Sequence, residues 1–501
     1  MKQMEISTKN VDVFVVGGGI NGVGIANDAA GRGLDVMLCE MNDLASATSS
    51  ASSKLIHGGL RYLEYYEFSL VKKALAEREV LLKNAPHIIW PLRFILPHRP
   101  HLRPTWMIRI GLFLYDNLSK RVSLPRSKYL KFTPADPLKD HISQGFEYAD
   151  AWVDDARLTV LNALSARSFG ADIKTQTQLV SATSKEGLWH LTLLDKATNS
   201  YSDVQAKCLV NAAGPWVENV NKSVDKPMDS AVVRLVKGSH IIVPKMHDDE
   251  HAFILQNEDG RIVFVIPYET DFTLIGTTDV EYKGNPSNAE ISDDEINYLI
   301  EVANGHFKTQ VVKEDIVHTY SGVRPLMQDE ANNPQAVSRD YTIELTQGDA
   351  QAPLLNIYGG KITTYRRLAE AAVNKLNAIF PNLAPSWTKT AVMPGGDFTT
   401  QHSLSTTLEQ QYPWLPEDIV CRFVKTYGTH SFNLLDGCSS LEQLGKHLGS
   451  GLYEKEVRYL VEHEFAKELD DVIWRRTKLG LRLNQQEKEQ VLAYLTTLNK
   501  K

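Results

Sequence analysis

The sequence predicts an α/β fold built around a parallel sheet and joined to β-rich segments and a helical tail. Three observations lead there. A strand-like run from Val11 to Val16 passes through glycines into a helix, Ile20 to Arg32, and on to a second strand, Val36 to Cys39; that order makes a parallel unit. Short β-rich runs fill the middle of the chain: Leu188 to Leu194, Val232 to Val243, Ile262 to Ile266 and Thr273 to Ile275. After about Ser386 the pattern turns mostly helical to Lys501 and reads as a separate small domain.

Taken in order, the first turn carries the strongest signal. VDVFVVGGGINGVG sets Gly17, Gly19 and Gly22 in GxGxxG spacing between strand and helix. Gly17 permits a tight turn, Gly19 lets the backbone approach a pyrophosphate, and Gly22 lets helix and strand pack closely. The helix N-terminus then faces the phosphates with unpaired N–H groups. Gly33 closes the helix, and Glu40 ends the second strand about 20 residues on, where a carboxylate can accept both ribose hydroxyls. Serines and threonines cluster from Ser46 to Ser53, ahead of His57-Gly58-Gly59, and a helix is expected over about Leu70 to Lys83. Leu209 to Trp216 reads as a strand ending in the small residues Ala212, Ala213 and Gly214, which can approach a dinucleotide from its other side. That feature leans towards FAD, but the glycine fingerprint alone leaves FAD and NAD open. Ile357-Tyr358, Gly359-Gly360 and Thr363 onward read as strand, turn and helix, and there is no internal repeat.

Bulk properties narrow the class. A chain of 501 residues is too long for one core, so two or three domains are expected. With 43% hydrophobic and 23% charged residues it is globular rather than disordered. A net charge of -7 gives no reason to expect nucleic acid. Cys39, Cys208, Cys421 and Cys438 lie far apart with no CxxC pair, so neither a zinc site nor a disulfide framework is expected. Met1 to Asn10 reads as neither a signal nor a transit peptide, and no apolar run is long enough to span a bilayer. The expected location is the cytoplasmic side.

GGGINGVGIANDAAGRG, SSASSKLIHGGLRYLE, VNAAGPW, KGSH, IGTTDVEY, YSGVRPL, YGGKITTYRRLAE and DDVIWRRTKLGL occur in that order. Together they resemble the FAD-dependent glycerol-3-phosphate dehydrogenases of bacterial aerobic type, and more broadly the amino-acid-oxidase class of flavoproteins. The resemblance implies a Rossmann-like FAD-binding domain interleaved with an antiparallel β-sheet substrate domain over 1–386, and a C-terminal helical domain over 387–501. It also implies FAD as cofactor, glycerol 3-phosphate as substrate and quinone as electron acceptor. Mitochondrial relatives carry calcium-binding EF-hands; no such calcium loop is visible here, and no metal is expected.

A phosphate dianion near a flavin needs fixed cations, and arginine binds two phosphate oxygens at once. Arg61 in HGGLRY, Arg324 in SGVRPL and Lys361 in GGK sit beside glycine or proline, and the resemblance implies that they form the substrate site. Arg339 is a weaker fourth candidate, and Tyr62 and Thr277 are expected to bind substrate oxygens. Oxidation sends the C2 hydrogen to the flavin as hydride, so the hydroxyl proton needs a base; His240, at the end of a strand-like run in KGSH, is the candidate, with Arg324 beside it in the catalytic set. Around the cofactor we expect Gly17, Gly18, Gly19, Ile20, Asn21, Gly22, Glu40 and Met41, then Thr48, Ser49, Ser50, Ser52, Ser53, Lys54, His57 and Gly58, and finally Ala213, Gly214, Gly360, Lys361 and Thr363. Reduced flavin carries negative charge that a helix N-terminus stabilises, and the helix that begins after Gly360 is expected to supply it.

Membrane attachment is the last expectation. From Leu92 to Lys131 there are nine Lys/Arg, including Arg103 and Arg109, and one acid, Asp116. They flank an apolar stretch of Trp106, Met107, Ile108, Ile110, Leu112, Phe113, Leu114 and Tyr115. Basic residues around a short apolar helix suit an interfacial anchor on anionic lipid, where a bilayer quinone is within reach. A solvated basic face beside a core helix is the plainer alternative. An oxidase releasing hydrogen peroxide, a flavin-binding sensor and an NAD dehydrogenase are the rival functions, and a homodimer is compatible with the sequence.

Overall fold

A computed structural model describes residues 9–99, 103–225, 233–327, 341–347 and 351–499. Two large sheets share the first three-quarters of the chain. In the first, the strands run in the order Tyr341–Thr346, Leu354–Gly359, Ser200–Asn211, Lys9–Val16, Val36–Cys39 and Asp172–Lys174. The inner pairs are parallel, with Val15 beside both Val210 and Leu38, and Val210 beside Leu355. A parallel sheet is covered on both faces, which is why Val13, Val15, Leu38 and Val210 are all fully buried. The Ile20–Gly31 helix covers one face together with the Asp155–Ser168 and Tyr365–Lys375 helices, and the three share one apolar core with those strands.

The second sheet runs Val280–Glu281, Val233–Pro244, Phe272–Gly276, Ile262–Tyr268, Ala252–Gln256, Ile89–Pro97, Gln144–Val153 and Leu55–Ile56. His318–Met327 lies along Val233–Pro244, and Lys128–Lys131 along Gln144–Val153. The expected antiparallel sheet is thus mixed at one point: Ala252–Gln256 pairs parallel with Ile89–Pro97. Strands of the two sheets alternate along the sequence, so the chain crosses the seam between them repeatedly.

Residues after Gln401 build an apolar core of their own, from Leu404 to Leu495. The helices there are Gln401–Gln411, Glu417–Tyr427, Glu454–His463 and Gln485–Leu498, with a short hairpin, His447–Gly449 and Leu452–Tyr453, that the sequence pattern did not announce. Buried ion pairs tie this region to the rest: Arg157 with Glu464, and Lys478 with Asp154 at 2.6 Å.

Candidate active site

The glycine turn is held as its spacing predicts. Gly17 has φ +111, and a Cβ there would sit 2.6 Å from the Ala212 carbonyl oxygen. A Cβ on Gly22 would come within 1.9 Å of the Gly17 carbonyl, so only glycine lets the helix approach the turn. At Gly19 an added Cβ would meet Ser49 Oγ alone, and at Gly214 it would meet nothing within 4 Å. The surface between these two turns is therefore backbone-lined and open. The Ile20 N–H donates to Ser49 Oγ at 2.9 Å and the Gly18 N–H to Glu40 Oε2 at 2.7 Å. Burial raises the Glu40 carboxyl above its ordinary range, and the Gly18 and Asn42 N–H groups work against that rise. Asn21 Nδ2 donates to the Gly359 carbonyl, while its Oδ1 is buried without a hydrogen-bond partner among the described residues. Met41 is half-buried beside Glu40, and Ala213 precedes the open Gly214 turn. An open cradle at a helix N-terminus, a carboxylate at the strand end and an orphaned amide oxygen fit a dinucleotide such as FAD.

The Thr48–Lys54 loop runs from this cradle onto the second sheet. Thr48 Oγ1 donates to the Val323 carbonyl at 2.6 Å, Ser50 Oγ to the Ala47 carbonyl, and Tyr320 OH to the Ser52 carbonyl at 2.8 Å. Ser53 Oγ lies 2.9 Å from His240 Nε2. Ser52 and Lys54, expected at the cofactor, direct polar groups to buried Asp155: Ser52 Oγ at 2.7 Å and Lys54 Nζ at 2.7 Å. The reason is local, since Asp155 opens the Asp155–Ser168 helix beneath the loop and needs partners.

His240 lies within its strand rather than at its end, with Gly276 opposite on one side and Tyr320 on the other. Its ring stacks on Tyr320 at 4.8 Å, and Gly276 leaves room for it, since a Cβ there would fall 2.1 Å from His240 Cδ2. Burial, then the charges of Arg324 and Lys54, hold its pKa well below the ordinary histidine value, so the imidazole is neutral. Nδ1 is buried with no hydrogen-bond partner among the described residues. Gly238, on the same face of the strand, marks where Arg324 and Thr277 meet: a Cβ at Gly238 would lie 2.6 Å from Thr277 Oγ1 and 2.9 Å from Arg324 Nη2. Arg324 Nη1 also pairs with Asp279 at 2.5 Å.

The remaining candidates form a second group. Lys361 Nζ sits 3.7 Å from the centre of the Tyr62 ring, and the His57 N–H donates to Thr363 Oγ1 at 3.2 Å. Gly360 has φ +101 and abuts the Asn21 side chain, joining this group to the glycine turn. Arg61 Nη2 reaches the Tyr65 hydroxyl at 3.3 Å. At Gly58 an added Cβ would strike Leu75 and the Tyr115 hydroxyl. Arg339 lies outside the described residues.

Sequence reasoning missed what lies under that turn. Tyr115 OH accepts from the Gly58 N–H at 2.8 Å and donates to Asp150 at 2.7 Å, while Arg78 pairs with Asp150 and donates to the Ala149 carbonyl. All three side chains are buried. Tyr115 belongs to the Thr105–Asn117 helix, which divides the expected apolar stretch. Ile108, Leu112 and Tyr115 face the core, while Trp106, Met107, Ile110 and Phe113 are 64%, 38%, 53% and 65% exposed. The basic residues divide too: Arg103 pairs with Glu64 at 2.6 Å and Arg121 with Asp116, whereas Arg109 is exposed over the Tyr129 ring. No helix among the described residues is long and apolar enough to cross a membrane.

A dinucleotide cradle at the end of a parallel sheet, opening onto a second sheet that carries a buried neutral histidine and an arginine, defines an FAD-dependent oxidoreductase. The family model described as FAD dependent oxidoreductase matches residues 12–366, and the one described as the C-terminal domain of alpha-glycerophosphate oxidase matches residues 386–500. A glycerol-3-phosphate dehydrogenase from Pseudomonas aeruginosa is 56% identical over 97% of this chain and 94% of its own length. The aerobic glycerol-3-phosphate dehydrogenase of Escherichia coli is 53% identical over 97% of both chains. The D-erythritol 1-phosphate dehydrogenase of Brucella abortus is 49% identical over 97% of this chain and 98% of its own. Among solved structures, a glycerol-3-phosphate dehydrogenase from Bacillus halodurans complexed with FAD aligns at a TM-score of 0.77 and 27% identity, covering 99% of this chain and 92% of that one. The chain belongs to the FAD-dependent glycerol-3-phosphate dehydrogenase family.

Proposed function

We propose that this chain oxidises sn-glycerol 3-phosphate to dihydroxyacetone phosphate and passes the electrons to a quinone at an anionic membrane surface. FAD, when bound, supplies the hydride acceptor. Gly17 to Gly22, Glu40, Ser49 and Gly214 hold it, with Asn21, Gly360 and Thr363 on the side of the second helix N-terminus. The observation that carries the reading is the neutral, fully buried His240 between the nucleotide loop and the Arg324–Thr277 pair. Arg324 and Lys361, with Arg61 and Tyr62 from the neighbouring turn, bind the phosphate, and Thr277 orients a hydroxyl.

His240 takes the hydroxyl proton. With Nε2 donating to Ser53, the lone pair on Nδ1 is left for that proton. In the free protein the Arg324 and Lys54 charges oppose an imidazolium. A phosphate dianion on Arg324 offsets that opposition, so the substrate itself strengthens the base. The test is anaerobic mixing with glycerol 3-phosphate while the flavin absorbance is followed. His240→Ala should keep its FAD and slow bleaching by about 10²- to 10⁴-fold; a wild-type rate would exclude His240 as the base. The relative named for D-erythritol 1-phosphate favours a second reading, so the same experiment is run with that substrate, and faster bleaching would reassign the alcohol.

Docking is assigned to the Thr105–Asn117 helix, whose exposed Trp106, Ile110 and Phe113 form an apolar outer face beside exposed Tyr65 and Tyr66. Arg109 adds attraction to anionic lipid, and Arg103 less, because Glu64 neutralises it. Trp106→Ala with Phe113→Ala should abolish flotation with phosphatidylglycerol vesicles; retained flotation would remove the assignment.

A further inference from the structure

The C-terminal region reaches the nucleotide site through one buried carboxylate. Asp43 lies three positions after Glu40, in the turn leading to Ser49, and is 2% exposed. Its Oδ2 accepts from Arg475 Nε at 2.6 Å and from Arg476 Nη1 at 2.6 Å, and its Oδ1 accepts from Arg476 Nη2 at 2.9 Å. Arg476 is 0% exposed and also donates to the Glu464 carbonyl, while Arg475 pairs with a second buried acid, Asp471.

Two consecutive arginines on one carboxylate need a special backbone. In an α-helix, side chains at i and i+1 diverge and do not face a common point. Residues Asp471–Arg476 form a π-helix, a wider winding frequent at functional sites, and from it both guanidiniums reach Asp43. A buried cluster of charges is an inefficient source of stability compared with apolar packing, but it fixes geometry. What it fixes is the turn that lies on the glycine loop: the Gly18 N–H donates to Glu40, the Ala45 N–H donates to the Gly18 carbonyl at 3.1 Å, and the Ile20 N–H donates to Ser49. Asp43 sits between these attachment points.

We propose that Arg475 and Arg476 are cofactor-positioning residues: through Asp43 the C-terminal region clamps the Glu40–Ser49 turn against the glycine loop and sets how slowly FAD leaves. The proposal rests on FAD occupying the Gly17–Gly22 cradle. The clamp acts on the residues that hold the cofactor and does not touch the reacting atoms.

The test measures FAD release from the holoenzyme, as the rise in flavin fluorescence after dilution, beside the melting temperature. Asp43→Asn keeps the shape but unbalances the two cations, and should release FAD about tenfold faster or more. Arg476→Lys, which retains one charged contact, should fall between that variant and wild type. Glu456→Gln is the control. It weakens a buried pair within the C-terminal region, Arg422 with Glu456, that shares no partner with Asp43, Arg475 or Arg476 among the described residues. It should lower the melting temperature yet leave FAD release within about twofold of wild type. If Asp43→Asn does not accumulate, Arg475→Gln carries the test, with release about threefold faster, since Arg476 still holds Asp43. Wild-type release in these clamp variants, or release that tracks melting temperature equally in the control, would overturn the clamp. Wild-type protein that purifies without flavin absorbance would instead overturn the assignment of the cradle to FAD.

Discussion

Replacing Tyr115 with phenylalanine removes a single oxygen from beneath the turn that carries Arg61 and Tyr62. That oxygen donates to Asp150 at 2.7 Å and accepts from the Gly58 N–H at 2.8 Å. A hydrogen bond to a charged group contributes about 1.5–3 kcal/mol, and a buried N–H without an acceptor costs about 1–3 kcal/mol. The Gly58 N–H keeps one long contact to Asp150, at 3.3 Å, which reduces the second cost. The loss is therefore about 3 kcal/mol. At about 2.1 cal/mol/K per residue, the unfolding entropy of 501 residues is about 1 kcal/mol/K, so the melting temperature should fall by about 3 °C. The turn also relaxes, and kcat/KM for glycerol 3-phosphate should drop by about tenfold. Calorimetry and steady-state kinetics on the holoenzyme check both quantities. A melting temperature within about 1 °C of wild type, together with kcat/KM within about twofold, would refute the role given to this network.

Gly22→Ala places a methyl 1.9 Å from the Gly17 carbonyl and must push the helix off the turn; the protein should purify without flavin absorbance near 450 nm, and a full flavin complement would contradict the packing argument. Acid should destabilise the fold through His87 and His306. Burial, with nearby positive charge, lowers His87 to about 3, and burial lowers His306 to about 4. Below the ordinary value of about 6.5 the unfolded chain binds protons that the folded chain refuses, so stability falls as pH drops from there towards those values. The slope is about 1.4 kcal/mol per pH unit for each histidine, giving about 3 kcal/mol for the two at pH 5.5. A melting temperature that does not fall between pH 7.5 and pH 5.5 would refute it.

What could be read in advance was local. The GxGxxG turn, the helix after it and Glu40 lie within one strand-helix-strand unit, and Gly22 meets Gly17 inside it; only the Ala212 contact that bars a side chain at Gly17 comes from far along the chain. Gly359-Gly360 and the helix that follows are local in the same way. The contacts of Ser52 and Lys54 with Asp155 were not legible, because Asp155 is about a hundred positions away and a serine-rich run does not announce a buried acid beneath it. Tyr115 was read as part of an apolar surface for the same reason: the strand that brings Asp150 beneath it comes later in the chain.

The basic segment shows most clearly why counting charges overstates a surface. Nine cations stand against one acid between Leu92 and Lys131, which suggests a strongly positive face. Folding brings in Glu64 against Arg103, Asp116 against Arg121, and Glu147 against both Arg93 and Lys128. A paired cation contributes little field beyond its partner, and salt shortens what remains. The exposed apolar side chains of the Thr105–Asn117 helix have no such neighbours to cancel them, so burial of Trp106, Ile110 and Phe113 should carry more of the attraction than charge does. Vesicle binding should accordingly weaken only modestly with salt but collapse when those side chains are truncated. A steep salt dependence with little effect of truncation would mean that the unpaired cations, Arg109 among them, dominate after all.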